Sequence, residues 1–223
     1  MADHEKQIEE FGKNDDFWLF GYGFESDMET AATFRYTFPP STKGLHTERK
    51  PDERIPGYIE GYVRRFWQVR LRAALPSHIE LTSSSEDHRG TPSAPGRVAT
   101  LIDRAHWETL SDTHEPTERV WGAAYHIPKA RVPEVREYLD IREINGYSIQ
   151  FTNFVPSSDP EAPVNTLVYI GLPSNPQFLG PQDPEALAAH ILKSKGPSGE
   201  NREYLFQLEE ALRGLGRGWG CAY

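Results

Sequence analysis

Apolar residues in this chain fall into short blocks, some alternating with polar neighbours and some continuous. The first, "FWLFGYG" at residues 17–23, is an aromatic run ending in two glycines around Tyr22, which predicts a fully buried strand entering a tight turn. From Pro56, "PGYIEGYVRRFWQ" alternates around Tyr58, Gly61, Val63 and Phe66, with glycines where a strand bends, the pattern of a small barrel's wall. Four more blocks predict strands: "RVATLID", "RVWGAAYHIP" from Arg119 with Pro128 as its stop, "YSIQFTNFVP" and "VNTLVYIGL".

Helical spacing appears between and after these strands. "ARVPEVREYLDIRE" from Ala130 places Val132, Val135, Tyr138 and Leu139 on one face and runs into a turn at Asn145 and Gly146. Asp183 before Pro184 is a helix start, with the aspartate as N-cap, and "EALAAHILKSK" then ends at Gly196 with lysines near its carbonyl end. A last helix from about Glu200 to Leu212 carries Tyr204, Leu205, Leu208, Ala211 and Leu212 inward. Strands first and helices late predict an α+β fold, a small β-barrel flanked by helices.

Two stretches follow neither period. Residues 24–49 and 69–85 read as excursions from a single domain at 17–213, which lies between a polar leader at 1–16 and a glycine-rich tail at 214–223. At 223 residues the chain is expected to form one domain rather than two.

Charge and cysteine content narrow the chemistry. The 33 acidic residues outnumber 24 basic ones, and the net charge of -9 argues against partnership with nucleic acid or an anionic membrane surface. Cys221 is the single cysteine, which excludes an intrachain disulfide and a cysteine-based zinc cluster and fits a reducing, cytoplasmic setting. The leader has no apolar signal core, and no apolar run approaches the ~20 residues that cross a bilayer. No HExxH, phosphate-binding glycine loop or cysteine pair is present.

Taken in order, "FGYG", "PGYIEGYVRRFWQ", "EDHRGTPSAPGRV", "VWGAAYHIP", "YLDIREINGY", "VYIGLPSNPQFLGP" and "GPSGENREYLFQL" resemble the ChaC family of glutathione-specific gamma-glutamylcyclotransferases. The resemblance covers most of residues 17–212 outside the two aperiodic stretches. It implies a gamma-glutamylcyclotransferase-like barrel with a pocket at its mouth, glutathione as substrate, 5-oxoproline and cysteinylglycine as products, and no cofactor.

In such a reaction the nucleophile belongs to the substrate, so the protein must take a proton from an α-ammonium and deliver one to the leaving amine. A carboxylate in a partly dry pocket suits both steps. Glu143 in "YLDIREINGY" matches the family's catalytic glutamate; the plainer reading is a charge on the last turn of a helix, and Glu137, on the same helix, is expected to be solvated. Tyr22 and Gly23 match the start of the family's substrate-cradling loop, of the form Tyr-Gly-Ser-Leu-Ile. Phe24, Glu25 and Ser26 depart from it, and a carboxylate at Glu25 would repel the substrate's α-carboxylate.

Arg89 in "DHRGTP" either meets the glycyl carboxylate of glutathione or pairs with Asp87 at the surface, while His88 reads as structural. Tyr204 either offers its hydroxyl to the pocket or is a buried tyrosine with its hydroxyl satisfied. Three functional readings follow: an active glutathione cyclotransferase using Glu143, an impaired or mis-spliced member that keeps the barrel as a binding module, or a cyclotransferase acting on another γ-glutamyl compound. The second is motivated by the broken loop, and by the chance that one or both aperiodic stretches are translated introns. Mature transcripts that encode both stretches without interruption would exclude that origin.

Overall fold

The computed structural model describes residues 17–23, 53–69, 89–91, 93–132, 147–197 and 199–215. Glu143, Asp87, His88, residues 24–49, all of 69–85 except Val69, and the helix expected from Ala130 beyond Val132 lie outside the described residues.

The main strands are β1 (Phe17–Gly21), β2 (Glu53–Glu60), β3 (Tyr62–Val69), β4 (Arg97–Asp103), β5 (Arg119–Ile127), β6 (Tyr147–Pro156) and β7 (Val164–Gly171). Five of them close a barrel in the order β1-β5-β2-β6-β7. Neighbours are antiparallel except at the closing seam, where β1 and β7 run parallel with Leu19 opposite Leu167. Closure leaves no barrel strand with an unpaired edge.

The continuous apolar run of β1 has a direct cause. Trp18 and Phe20 join a cluster that draws on every barrel strand and fills its interior, with Ile59, Val120, Ala124, Phe154, Val168 and Ile170. Phe17 and Leu19 point the other way, into a second cluster with Ile127, Val132, Ile149 and Leu167. A strand buried on both faces cannot alternate with polar residues. Inside the barrel the Phe20 and Phe154 rings lie 5.7 Å apart, over two glycines that pair across β2 and β5. A β-carbon on Gly122 would fall 2.2 Å from the Gly21 carbonyl oxygen and 2.7 Å from the Phe20 ring, so this wall must be bare backbone.

The block from Pro56 to Gln68, expected as one barrel wall, is two strands in two sheets. It divides at Gly61, whose φ of +85° lies in the left-handed region that favours glycine and turns the chain out of the barrel. β3 then pairs with β4 in a separate antiparallel sheet, with a bulge between Arg65 and Gln68. Val69, expected within an aperiodic stretch, still belongs to β3: it is buried, pairs with Arg97, and donates its N–H to the Gln177 carbonyl at 2.9 Å.

Three helices complete the described fold: α1 (Arg104–Trp107), α2 (Pro184–Lys193) and α3 (Asn201–Gly214). Asp183 caps α2 as expected, accepting the Ala186 N–H at 2.8 Å. The helix stops at Lys193 rather than near Gly196, because Ser194 turns extended and its hydroxyl donates back to the His190 carbonyl at 2.8 Å. Residues Lys195–Gly196 (β8) and Gly199–Glu200 (β9) form a small ribbon that leads into α3. Leu187 and Ile191 of α2 and Leu208 and Leu212 of α3 pack on Phe66 and Ala99, which fixes both helices on the β3–β4 sheet.

A buried ion pair ties the segment between β4 and β5 to that sheet. Arg65 and Asp112 have side chains only 3% and 6% exposed, and Arg65 Nε donates to Asp112 Oδ2 at 2.6 Å. Asp112 also accepts from Trp107 Nε1 at 2.8 Å and from the His114 N–H at 3.1 Å, while Arg65 donates to the carbonyls of Arg64 and His114. The Trp67 and Trp107 rings both lie within 6 Å of the guanidinium. Burial on its own would raise the Asp112 pKa, but the Trp107, Arg65 and His114 donors together with the Arg65 charge outweigh it and hold the carboxyl below its usual range.

Asp112→Ala leaves the Arg65 charge buried without its partner and is expected to cost about 3–5 kcal/mol in urea unfolding. With the folded pKa depressed, the pair's contribution is full above the unfolded carboxyl's value of about 3.9 and is lost as pH falls through the folded value. Asp112→Asn should therefore remove part of the acid limb of the stability profile. A variant whose urea midpoint falls with acid as steeply as the parent's would assign that limb to other groups.

Candidate active site

β1 and β7 run parallel, so the chain leaves both strands at the same end of the barrel, through Tyr22–Gly23 and Gly171 respectively. β6 begins at that end too, since its first residue, Tyr147, pairs with Gly171. In sequence, Glu143 stands four residues before Tyr147.

Three of the residues singled out from the sequence are brought together here. The Tyr22 side chain is buried in the barrel-filling cluster, its ring 6.4 Å from that of Phe20. Gly23 follows it and lies against Tyr204: a β-carbon on Gly23 would be 3.3 Å from the Tyr204 hydroxyl. That hydroxyl also accepts the Ala99 N–H at 3.3 Å, and the Tyr204 ring meets Phe66 edge-on at 5.8 Å. Tyr204 is thus a sheet-anchored tyrosine whose polar tip reaches the glycine turn.

Asn201 fixes the approach of α3. Fully buried, it accepts the Arg97 N–H at 2.7 Å and donates to the Arg97 carbonyl at 2.8 Å, pairing side chain to backbone as another strand would. Glu200 and Glu203 form a reciprocal capping box, with Glu203 accepting the Glu200 N–H at 3.1 Å.

Arg89 joins that helix start. Its Nη1 donates to Glu203 Oε2 at 3.2 Å and to the Glu200 carbonyl at 3.3 Å, so among the described residues the acid it pairs with is Glu203. Gly199, with φ +108°, makes room: a β-carbon there would lie 2.9 Å from Arg89 Nη1. Arg89 therefore supports the helix that carries Tyr204 rather than standing alone at the rim.

Sequence reasoning gave Gln68 no role, yet it is the most unusual polar side chain at this end. It is fully buried, and among the described residues neither its amide nitrogen nor its amide oxygen has a hydrogen-bond partner. Each such unpaired group costs about 1–3 kcal/mol. The amide oxygen and the Thr100 hydroxyl both close on Gly171, where a β-carbon would fall 2.8 Å and 2.6 Å from them. Thr100 is satisfied through the Leu101 carbonyl at 3.3 Å. In the sequence Gln68 closes the block "PGYIEGYVRRFWQ", where nothing sets it apart from the other polar positions.

Among the described residues, no group of three or more His, Cys, Asp or Glu side chains is placed to hold a metal ion. No described helix is long and apolar enough to cross a membrane.

Asn201→Ala removes both bonds to the β4 backbone and leaves the Arg97 N–H and carbonyl unpaired; it is expected to cost about 1–3 kcal/mol, read as a lower thermal midpoint. An unchanged midpoint would mean that the apolar face of α3 docks the helix without this pin.

The sequence pattern of the ChaC-like protein family matches residues 45–219, so β1 and Gly23 lie upstream of the matched region. The chain is 38% identical over 202 residues to a glutathione-specific gamma-glutamylcyclotransferase of Schizosaccharomyces pombe, covering 89% of this chain and 83% of the relative. It is 32% identical over 210 residues to glutathione-specific gamma-glutamylcyclotransferase 1 of Homo sapiens, covering 92% and 75%. The crystal structure of a yeast gamma-glutamyl cyclotransferase specific to glutathione superposes with a TM-score of 0.65 at 30% identity, over 92% of this chain and 90% of the other.

Proposed function

The chain belongs to the ChaC-like protein family, and we propose that it is a cytoplasmic gamma-glutamylcyclotransferase that cleaves glutathione into 5-oxoproline and cysteinylglycine. The observation that carries this reading is the 38% identity to the Schizosaccharomyces pombe enzyme across 89% of the chain. The glycine turn after β1, held against the Tyr204 hydroxyl at the barrel end where β6 begins, supports it.

The glutamyl α-amine attacks the γ-carbonyl carbon, a new C–N bond closes the five-membered ring, and the C–N bond to cysteinylglycine breaks. No water is consumed. The proton lost by the amine is the one the leaving amine needs, so one carboxylate can carry it between them. Glu143 is assigned this role on its motif "YLDIREINGY", which leads directly into β6.

Tyr22 and Gly23 form the surviving part of the substrate loop, with backbone N–H groups facing the α-carboxylate or the oxyanion on the γ-carbonyl. Tyr204 borders that turn. Arg89, through Glu203, holds the first turn of α3 in place and leaves the rest of its guanidinium for the glycyl carboxylate of glutathione. The domain spans residues 17–213, and its insertions begin after Gly23 and after Val69.

Release of 5-oxoproline from reduced glutathione by the full-length chain tests the assignment. Glu143→Gln is expected to slow it by at least ~100-fold with circular dichroism and thermal midpoint unchanged. Undiminished release by the variant would remove Glu143 from the mechanism, and no release by the parent chain would overturn the enzymatic reading.

A further inference from the structure

We propose that Gln68 is a substrate-binding residue of the same site, its carboxamide receiving the amino-acid head group of the γ-glutamyl moiety. The amide N–H donates to the α-carboxylate and the amide oxygen accepts from the α-amine. The inference rests on the cyclotransferase reading.

Position is the first support. Gln68 packs against Gly171, the last residue of β7, whose backbone pairs with the first residue of β6. This is the barrel end where β1 delivers Gly23. The bulge in β3 places Gln68 on the face whose Thr100 meets Gly171. Arg65 pairs with Thr100, so a regular ladder would set residue 67 opposite Val98; instead Gln68 stands there, on the same face of the sheet as Thr100. Without the extra residue, Gln68 would project from the opposite face.

The unpaired state is the second support. A fully buried carboxamide with donor and acceptor both unmet is rare in a folded protein, where buried polar side chains almost always find partners. The fold leaves these two atoms unpaired while satisfying Thr100 beside them.

Chemistry is the third. An amino-acid head group presents an anion and an amine on one carbon, and a carboxamide presents a donor and an acceptor on one carbon. A neutral oxygen orients the amine without favouring its ammonium form as a carboxylate would. The dry surroundings also favour the neutral amine that attacks. Binding by Gln68 therefore leaves proton removal to Glu143.

The test compares the full-length parent with Gln68→Met and Gln68→Glu, using turnover of reduced glutathione, calorimetric binding of L-glutamate as a head-group probe, and thermal midpoint. Methionine fills the same space without polar atoms, so it should hold or raise the midpoint while raising KM for glutathione and lowering kcat/KM by at least about tenfold. Glutamate keeps an acceptor but repels the α-carboxylate, so its KM should also rise, and L-glutamate binding should weaken in both variants.

Parental KM and kcat/KM in Gln68→Glu, or in a folded Gln68→Met, would overturn the assignment while leaving the cyclotransferase reading intact. A lower midpoint in both variants with KM unchanged would assign Gln68 to packing, which also overturns it. If the parent binds L-glutamate through Gln68 but releases no 5-oxoproline, the binding role stands and the catalytic reading falls. If it neither turns over nor binds, both fall.

Discussion

The seating of β1 between β5 and β7 is the constraint on which the rest of the molecule depends. Five residues, packed on both faces, pair residue for residue with β5 and meet β7 in parallel at Leu19 and Leu167. Without that strand the barrel is an open sheet, the interior loses Trp18 and Phe20, and the glycine turn is no longer delivered to Tyr204. Gly57 and Gly122 follow from the same demand. A barrel of five strands has room for the Phe20 and Phe154 rings only if the facing wall has no side chains.

The second layer is built to hold one edge of the site still. Residues on the β3–β4 sheet contribute Gln68, Thr100 and the Ala99 N–H, and the sheet is fixed from two sides. On one side Arg65 is locked to Asp112 between two tryptophans; on the other, Asn201 binds both backbone groups of Arg97. A buried ion pair is a poor source of net stability, because desolvation offsets most of its attraction. What it supplies here is position: Arg65 sits at the start of the bulge that sets the facing of Gln68. The capping box with Arg89 does the same for α3 and Tyr204.

Much of this architecture is written in local pattern. The blocks that give β1, β4, β5, β6 and β7 are each long enough, and apolar enough, for their period to be read directly. The block from Pro56 reads as one strand because a glycine inside a strand pattern is compatible with a bend, and only its positive φ shows that the chain leaves the barrel at Gly61. Residues 104–118 carry no apolar period, so Asp112 gave no signal; its meaning comes from Arg65, 47 positions earlier. Likewise, among the described residues, the acid that takes Arg89 Nη1 is Glu203, 114 positions on, which no local pattern announces. Gln68 is invisible for a different reason: unpaired burial is a property of three-dimensional surroundings, and a polar residue after "RRFW" reads in sequence as a strand end.

Both departures from regular pattern begin where strands of the site end, after Gly23 in one case and one residue after Gln68 in the other. Closing a longer loop is entropically cheap, about 0.6 kcal/mol for each doubling of its length. The fold can therefore carry such excursions provided that the strand ends are fastened independently of them. They are: Gly21 is paired to Ala123, and Val69 is held by Arg97 on one side and by the Gln177 carbonyl on the other. Catalytic geometry is less tolerant than stability, since misplacement by an ångström can cost orders of magnitude in rate. The fastenings lie within one or two residues of Gly23 and Gln68, so the groups proposed to bind substrate are set by the barrel and its second sheet.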